Sequence, residues 1–318
     1  MSLAPLVAAV TAAIVGCGGS IAIVLAAAES LRATPAETAS WITAVCLAIA
    51  ISTAILSVRH RLPIITAWST PGAALITASA AGLDMSLAVG AFMTAAVLIL
   101  LASIATPLLR LIERIPANVA AGMLSGVLLR LVMLPFEAVP AAPWLILPLL
   151  ALFLVVRRVA PSVAVIVVLI GGVALAWTLG LTKPLPELQL ADPVWITARF
   201  EIGAMIGLGV PLFLVTMASQ NLAGFAVLRA AGYSEVPSRS ILSVTALSSL
   251  ATAPFGAHTS NLAAISAAIC TGPDAHKGPS KRWLTGPPYA LCYLAFAVLG
   301  PSLEIGRASC RERVCLAV

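Results

Sequence analysis

The sequence predicts an all-α polytopic membrane protein, and its composition is the first observation behind that prediction. Of the 318 residues, 61% are hydrophobic and 9% are charged, and the mean hydropathy is +1.08. A typical soluble domain carries about 25% charged residues. The second observation is that the apolar residues form runs of about 20, the length that a helix needs to cross a bilayer. Strands of a membrane barrel would instead show alternating segments of about 10 residues.

Eleven apolar segments can be delimited by charges, prolines and polar clusters. They cover residues 5–28, 39–58, 62–82, 85–109, 116–134, 141–156, 159–180, 201–228, 237–253, 254–271 and 285–303. Eleven basic residues lie in every second connection between these segments, and four lie in the other connections. The positive-inside rule therefore predicts that the N-terminus is cytoplasmic.

Segments three (62–82) and ten (254–271) both begin with residues that interrupt helices. Segment three starts with a polar run from Pro63 to Gly72, and segment ten starts with a similar run from Pro254 to Asn261. An alanine-rich stretch follows each run. Two kinked helices would be the simpler interpretation, but interrupted segments at corresponding places in two halves are typical of inverted-repeat transporters with a site at the bilayer midplane. We therefore predict two broken helices.

The N-terminus of a half-helix attracts anions, because its N–H groups are unpaired and it carries a partial positive charge. The predicted termini lie near Ser69 to Gly72 and near Thr259 to Asn261. Hydroxyl groups there can cap their own helices, contact a substrate, or do both. The candidate substrate-binding residues are Ser20, Trp68, Ser69, Thr70, Ser219, Gln220, Thr259, Ser260 and Asn261.

Trp68, Ser219, Gln220, Ser20 and His258 are candidates for reasons other than capping a half-helix. Trp68 could stack on a flat ring, with packing against neighbouring helices as the alternative. Ser219 and Gln220 belong to a polar cluster inside the apolar segment eight, which predicts that they face the protein interior. Ser20 follows a glycine-rich run in segment one. His258 lies inside segment ten and is the candidate for proton coupling, with a neutral, hydrogen-bonded histidine as the alternative.

These motifs resemble the bacterial benzoate/proton symporters, the BenE family. The resemblance runs from about Gly16 to Leu303, and it is carried by the runs Trp68–Gly72, Pro211–Gly224, Pro254–Ile265 and Ile269–Pro273. It implies a secondary transporter of the bacterial inner membrane that imports benzoate or a similar aromatic carboxylate by proton symport and alternating access. The implied partners are a small organic anion, protons and the lipid bilayer. A homodimer is a possible assembly of the protein.

The family resembles in turn the uracil-permease and sulfate-permease fold, which implies a 7+7 inverted repeat with core and gate domains. On that pattern residues 1–110 form the core domain of the first repeat, residues 111–182 form the gate domain of the first repeat, and residues 183–303 form the core domain of the second repeat. Residues 304–318 break the apolar pattern with charges and resemble a non-native tail. The expected fold is therefore truncated after about eleven segments.

The sequence leaves other functions as alternatives to this one. Another anion or nucleobase carrier of the same fold is the main alternative, although Ser219-Gln220 and Ser260-Asn261 stand where nucleobase relatives hold acidic residues. An intramembrane enzyme would need a paired nucleophile and base or a metal cluster, and His258 has no Cys, Asp or Glu at ligand spacing, so neither an enzyme nor a metal or cofactor is predicted. Two opposed half-helices suit a closed site better than a channel. The scattered basic residues argue against nucleic acid, despite a net charge of +6.

Overall fold

The computed structural model describes residues 3–79, 82–105, 142–159, 164–180 and 192–308, together with residues 133, 136–137 and 139–140. Most of the predicted fifth segment and of the predicted tail lies outside these ranges. The helices are α1 (Ala4–Gly18), α2 (Ile21–Ser30), α3 (Pro35–His60), α4 (Thr70–Ser79), α5 (Met85–Ile104), α6 (Pro143–Val159), α7 (Ala164–Thr178), α8 (Ile202–Ala230), α9 (Ser238–Thr252), α10 (Ile265–Thr271) and α11 (Gly286–Ala308). Two short strands, β1 (Thr66–Trp68) and β2 (Ser260–Leu262), complete the framework.

Within the described residues, four helical stretches are long and apolar enough to cross a membrane. They are the continuous pair α1–α2 over Ala4–Ser30, then α3, α5 and α8. The prediction of a mostly helical protein with several membrane-spanning segments is therefore confirmed. The arrangement of these helices in two inverted repeats, with core and gate domains, stays a prediction.

The long helices begin where the local sequence supplies caps. Thr34 and Glu37 form a capping box at the start of α3, in which the Glu37 carboxylate accepts from the Thr34 N–H at 2.8 Å and the Thr34 hydroxyl accepts from the Glu37 N–H at 3.3 Å. Asp84 caps α5 by accepting from the Leu87 N–H at 2.9 Å. These caps satisfy N–H groups that the first helical turn leaves without partners.

Helix α8 contains two π-helical turns, Met205–Gly209 and Thr216–Asn221. The second of these coincides with the polar cluster noted in segment eight. Single π turns inside α-helices occur often at functional sites, because they change the direction in which side chains point. In this turn Thr216 and Asn221 are both fully buried and face the strands.

Strands β1 and β2 pair in antiparallel fashion, with Ala67 opposite Asn261 and Trp68 opposite Ser260. The ladder continues on either side, since the Ser69 N–H donates to the Thr259 carbonyl at 3.0 Å. This pairing joins segment three directly to segment ten. Opposed residues share a face, so Ala67, Ser69, Thr259 and Asn261 lie on one side of the pair.

The two segments differ in where their helices begin. Helix α4 begins at Thr70, within the predicted range of Ser69 to Gly72. Helix α10 begins only at Ile265, later than the range predicted for its start, Thr259 to Asn261. The physical reason is that the backbone of Ser260–Leu262 is extended and pairs with β1, so it cannot also form a helical turn.

Candidate functional site

A buried cluster of three hydroxyl groups lies where α4, α8 and the strand pair meet. The Thr216 hydroxyl donates to the Ser69 hydroxyl at 2.9 Å and lies 3.0 Å from the Thr259 hydroxyl. All three side chains are inaccessible to solvent. The Thr216 side chain of α8 therefore contacts both of the interrupted segments.

Ser69 is the residue with the largest number of roles in this cluster. Its hydroxyl oxygen accepts from the Gly72 N–H at 3.1 Å, which caps α4, while its carbonyl accepts from the Ala73 N–H at 2.8 Å. Its own N–H donates to the Thr259 carbonyl across the strand pair. Any change in the position of Ser69 therefore moves the first turn of α4.

His258 is buried and uses both of its ring nitrogens. The Trp41 indole N–H donates to Nδ1 at 2.9 Å, and Nε2 lies 3.2 Å from the Ser69 carbonyl oxygen. An indole N–H can only donate and a carbonyl can only accept. Nδ1 therefore carries no proton and Nε2 carries one, which makes this a neutral imidazole. The alternative weighed for His258, a neutral hydrogen-bonded ring, is the state that this geometry describes; its role in coupling stays a prediction.

Trp68 and Ser20 contact each other inside the protein. The Trp68 indole N–H donates to the Ser20 hydroxyl at 2.9 Å, and that hydroxyl donates to the Gly16 carbonyl at 2.6 Å. The Trp68 ring meets the edge of Tyr293 at a centroid distance of 5.9 Å. Because Trp68 is only 2% exposed, its ring faces protein groups in this conformation.

Ser260 and Asn261 occupy opposite faces of β2. The Ser260 hydroxyl lies 3.0 Å from that of Ser249 on α9 and donates to the Thr245 carbonyl at 3.2 Å. The Asn261 amide nitrogen donates to the Leu262 carbonyl at 2.9 Å, which fixes the orientation of the amide. Its buried Oδ1 has no hydrogen-bond partner within the part of the chain that the structure describes.

Each strand is anchored to the long helix that precedes it in the sequence. Thr66 of β1 contacts the hydroxyl groups of Ser52 and Thr53 on α3, at 2.8 and 2.7 Å. Ser260 of β2 contacts Ser249 on α9 in the corresponding way. The two interrupted segments are therefore held by similar contacts in the two halves of the chain.

Three of the predicted residues differ from the rest because they are partly accessible. Thr70 begins α4, and Ser219 and Gln220 lie in the π turn of α8, which packs against α4. The Ser219 hydroxyl donates to the Val215 carbonyl of its own helix. The predicted site thus has an accessible layer at Thr70, Ser219 and Gln220, and a buried layer formed by the other candidates.

Several residues of this arrangement were not among the candidates. Thr216 and Asn221 lie in the polar cluster of segment eight, so their composition was a usable signal. Asn221 accepts from the Leu262 N–H at 3.0 Å and so holds β2. Trp41 and Ser249 occupy ordinary positions in α3 and α9, and nothing in the local sequence indicates their contacts. Across the described ranges, no three His, Cys, Asp or Glu side chains form a group that could hold a metal ion.

Comparisons with known proteins identify the family of the chain. A family model described as "Benzoate membrane transport protein" (BenE) matches residues 1–305. The inner membrane protein YdcO of Escherichia coli is 37% identical over 299 residues, which are 94% of this chain and 76% of that protein. The benzoate membrane transport protein of Acinetobacter baylyi is 33% identical over 303 residues, which are 95% of this chain and 77% of that protein. The chain therefore belongs to the BenE family of membrane transport proteins.

Proposed function

We propose that this chain is a secondary active transporter that imports benzoate, or a similar aromatic carboxylate, by proton symport across the bacterial inner membrane. The observation that carries the proposal is the Ser69 cluster at the start of α4. A helix N-terminus capped by a serine, with further hydroxyl and amide groups beside it, suits a carboxylate. The relative from Acinetobacter is named for benzoate transport, which supports the choice of substrate.

In this proposal the carboxylate binds between the half-helix ends of segments three and ten. Thr70, Ser219 and Gln220 form the accessible layer and would meet the anion first. Ser69, Thr259 and Asn261 are buried on one face of the strand pair. Ser260 and Trp68 are buried on its other face, where Trp68 bonds to Ser20. Because most of these buried polar groups already bond to other protein groups, they are proposed to hold the shape of the site and to reach the anion when the π turn of α8 moves.

The way in which the two interrupted segments are joined supports the proposed alternating access. The strand pair and the Thr216 hydroxyl link segments three, eight and ten into one unit. That unit is proposed to move as the core domain, with the gate domain contributing helices α6 and α7. The proposed division into repeats remains the one expected from the sequence, at 1–110, 111–182 and 183–303.

Proton coupling leaves two roles for His258: it either carries the coupled proton or stays neutral. As a carrier, His258 would have to take a proton at Nδ1, and the Trp41 N–H would then face another N–H. As a neutral residue, it keeps both hydrogen bonds. The geometry supports the neutral role, and the experiments on His258 described below separate the two.

Initial rates of labelled benzoate entry into liposomes that contain the purified protein test the proposal. Rates in protein-free liposomes must be subtracted, because undissociated benzoic acid crosses bilayers unaided. The protein-dependent rate is expected to rise when the outside is made acidic and to fall when a protonophore removes the gradient. A rate that ignores the gradient would contradict symport, and entry of uracil without benzoate would contradict the substrate.

Ser69→Ala tests the site within the same assay. It removes the cap of α4 and the acceptor of the Thr216 hydroxyl, so benzoate entry at subsaturating concentration is expected to fall about tenfold, the effect of losing roughly 1.4 kcal/mol of hydrogen bonding. Thr77→Ala is the matched control, because Thr77 lies on the same helix, is exposed, and bonds to the Ala73 carbonyl of that helix. Equal rates in both variants would contradict the placement of the anion at α4.

The cytoplasmic location of the N-terminus is proposed from the basic residues and has its own test. With the partly accessible Cys292 and also Cys310 and Cys315 replaced by serine, Ala36→Cys should react with a membrane-impermeant maleimide in intact cells. Ser234→Cys should react only after the cells are permeabilised. Both positions are exposed, and Cys17, Cys46 and Cys270 are buried. The opposite labelling pattern would reverse the topology. A homodimer stays a prediction.

A further inference from the structure

Trp41 lies in the middle of the protein interior and connects α3 to segment ten. Its indole N–H reaches His258 Nδ1, and neither side chain is accessible to solvent. Trp41 also meets the His258 ring edge-on at 5.6 Å between centroids, and Phe92 of α5 meets it at 6.4 Å. These two aromatic rings restrict rotation of the imidazole.

The direction of the hydrogen bonds gives Trp41 a defined effect. Because the indole can only donate, Nδ1 must accept, and the ring proton is confined to Nε2. Nε2–H then points at the Ser69 carbonyl at 3.2 Å. That carbonyl also accepts from the Ala73 N–H in the first turn of α4. Trp41 therefore acts on the start of α4 through His258.

We propose that Trp41 is a positioning residue, which selects the neutral Nε2–H form of His258 and so fixes Ser69 at the start of α4. His258 is then a positioning residue as well, and it does not carry the coupling proton. The groups that meet its ring from α3, α5 and the β1–α4 connection are Trp41, Phe92 and Ser69, and none of these three is charged. The transport readout of this inference rests on the proposed function, whereas the tautomer readout does not.

The tautomer is measured by NMR of protein labelled with ¹⁵N in its histidine rings. His258 should show an unprotonated Nδ1 and a protonated Nε2 from about pH 5 to 8, a range in which a free histidine changes charge. Trp41→Phe should alter this signal, and His258→Gln should remove it and thereby assign it. Trp195→Phe is the matched control, since it deletes an indole N–H at a residue that is 66% exposed. A protonated Nδ1, or titration within that range, would overturn the proposal even if the protein transports nothing.

Uptake separates positioning from proton carriage. A glutamine at position 258 can accept from Trp41 and donate to Ser69, and it cannot be protonated. His258→Gln is therefore expected to keep the pH profile of the unchanged protein and an uptake rate within about threefold of it. His258→Ala is expected to lower the uptake rate about tenfold or more. A folded His258→Gln protein that has lost its pH dependence would overturn the proposal in favour of proton carriage.

A double-mutant comparison tests whether Trp41 acts through His258. Trp41→Phe alone should raise the benzoate concentration needed for half-maximal uptake about fivefold, the effect of one buried hydrogen bond. In the His258→Ala background the same change should add little, because Trp41 acts through the imidazole. Independent, additive effects of the two changes would contradict the proposed chain from Trp41 to Ser69. Absence of benzoate uptake in the unchanged protein would instead refute the proposed function and leave the NMR result to decide the inference.

Discussion

Thr216 on α8 and Ser69 at the start of α4 are joined by a hydrogen bond of 2.9 Å between their hydroxyl groups. The same Thr216 hydroxyl lies 3.0 Å from Thr259, so one side chain contacts both interrupted segments. Thr216 opens the π turn of α8, and this turn also carries the partly accessible Ser219 and Gln220. A movement of this π turn would therefore reach the cap of α4 through Thr216.

Thr216→Val should weaken benzoate transport without unfolding the protein. Valine has nearly the shape of threonine but lacks the hydroxyl group, so Ser69 and Thr259 each lose a partner while packing is retained. We expect a loss of about 1–3 kcal/mol, measured as a rise of roughly 5- to 150-fold in the benzoate concentration for half-maximal uptake. Thr77→Val is the control with the same chemical change on an exposed helix face. Similar kinetics in both variants would show that the Thr216 bonds are dispensable.

The contact between Trp68 and Ser20 should appear as coupling in a double-mutant cycle. Trp68→Phe keeps an aromatic ring against Tyr293 but removes the N–H that donates to Ser20. Ser20→Ala removes the acceptor. Each change should destabilise the protein by about 1 kcal/mol, and the double variant should be less destabilised than the sum by about 0.5 kcal/mol or more. Thermal unfolding in detergent measures this, and strict additivity would mean that the bond contributes nothing to stability.

Helix positions were predictable from the sequence, because hydropathy and caps are local signals. Segment eight was expected at 201–228 and α8 spans Ile202–Ala230; segment four was expected to start at residue 85, where α5 begins after the cap of Asp84. The start of α4 beside Ser69 also follows from a local signal, a serine three residues before a glycine N–H that it can cap.

The contacts that build the site were not predictable in the same way, because they join residues far apart in the sequence. The pairing of β1 with β2 delays the start of α10 to Ile265, and no local pattern near Asn261 indicates a strand partner. Trp41 lies in an unbroken apolar helix, so its bond to His258 is visible only in three dimensions. Segment one was expected at 5–28 and is helical over Ala4–Ser30, but the sequence did not predict the turn at Gly19 and Ser20 that divides it into α1 and α2.

Two contributions of Asp84 to stability can be measured separately: the cap of α5 and an ion pair with Arg199. Its Oδ1 accepts from the Leu87 N–H, and its Oδ2 lies 3.2 Å from Arg199, with side chains that are 58% and 61% exposed. Asp84→Asn keeps an acceptor for the cap and loses the ion pair, which at such exposure is worth about 0–1 kcal/mol. Asp84→Ala also loses the cap, at about 1 kcal/mol more. Thermal unfolding should rank the alanine variant below the asparagine variant; equal losses in the two variants would assign the stability to the ion pair, which both of them lack.

Gly224 lies where α8 packs closely against β2. A methyl group added there would lie 2.5 Å from Leu262 Cγ and 2.9 Å from the Ala263 carbonyl oxygen. Because the second neighbour is backbone, β2 would have to move, and this would stretch the bond from the Leu262 N–H to Asn221. Gly224→Ala should therefore destabilise the protein by about 1–3 kcal/mol and lower benzoate uptake.

The same substitution elsewhere in α8 separates this steric effect from helix propensity. A methyl group at Gly207 would meet nothing within 4 Å, so Gly207→Ala makes an identical chemical change at an open position of the same helix. Alanine favours a helix over glycine by up to about 1 kcal/mol, so this variant should be as stable as the unchanged protein or more stable. Thermal unfolding and benzoate uptake are measured on both variants. Equal losses would mean that rigidity of α8, rather than the distance between α8 and β2, limits transport, and a loss confined to Gly224→Ala would tie transport to the Asn221–Leu262 contact.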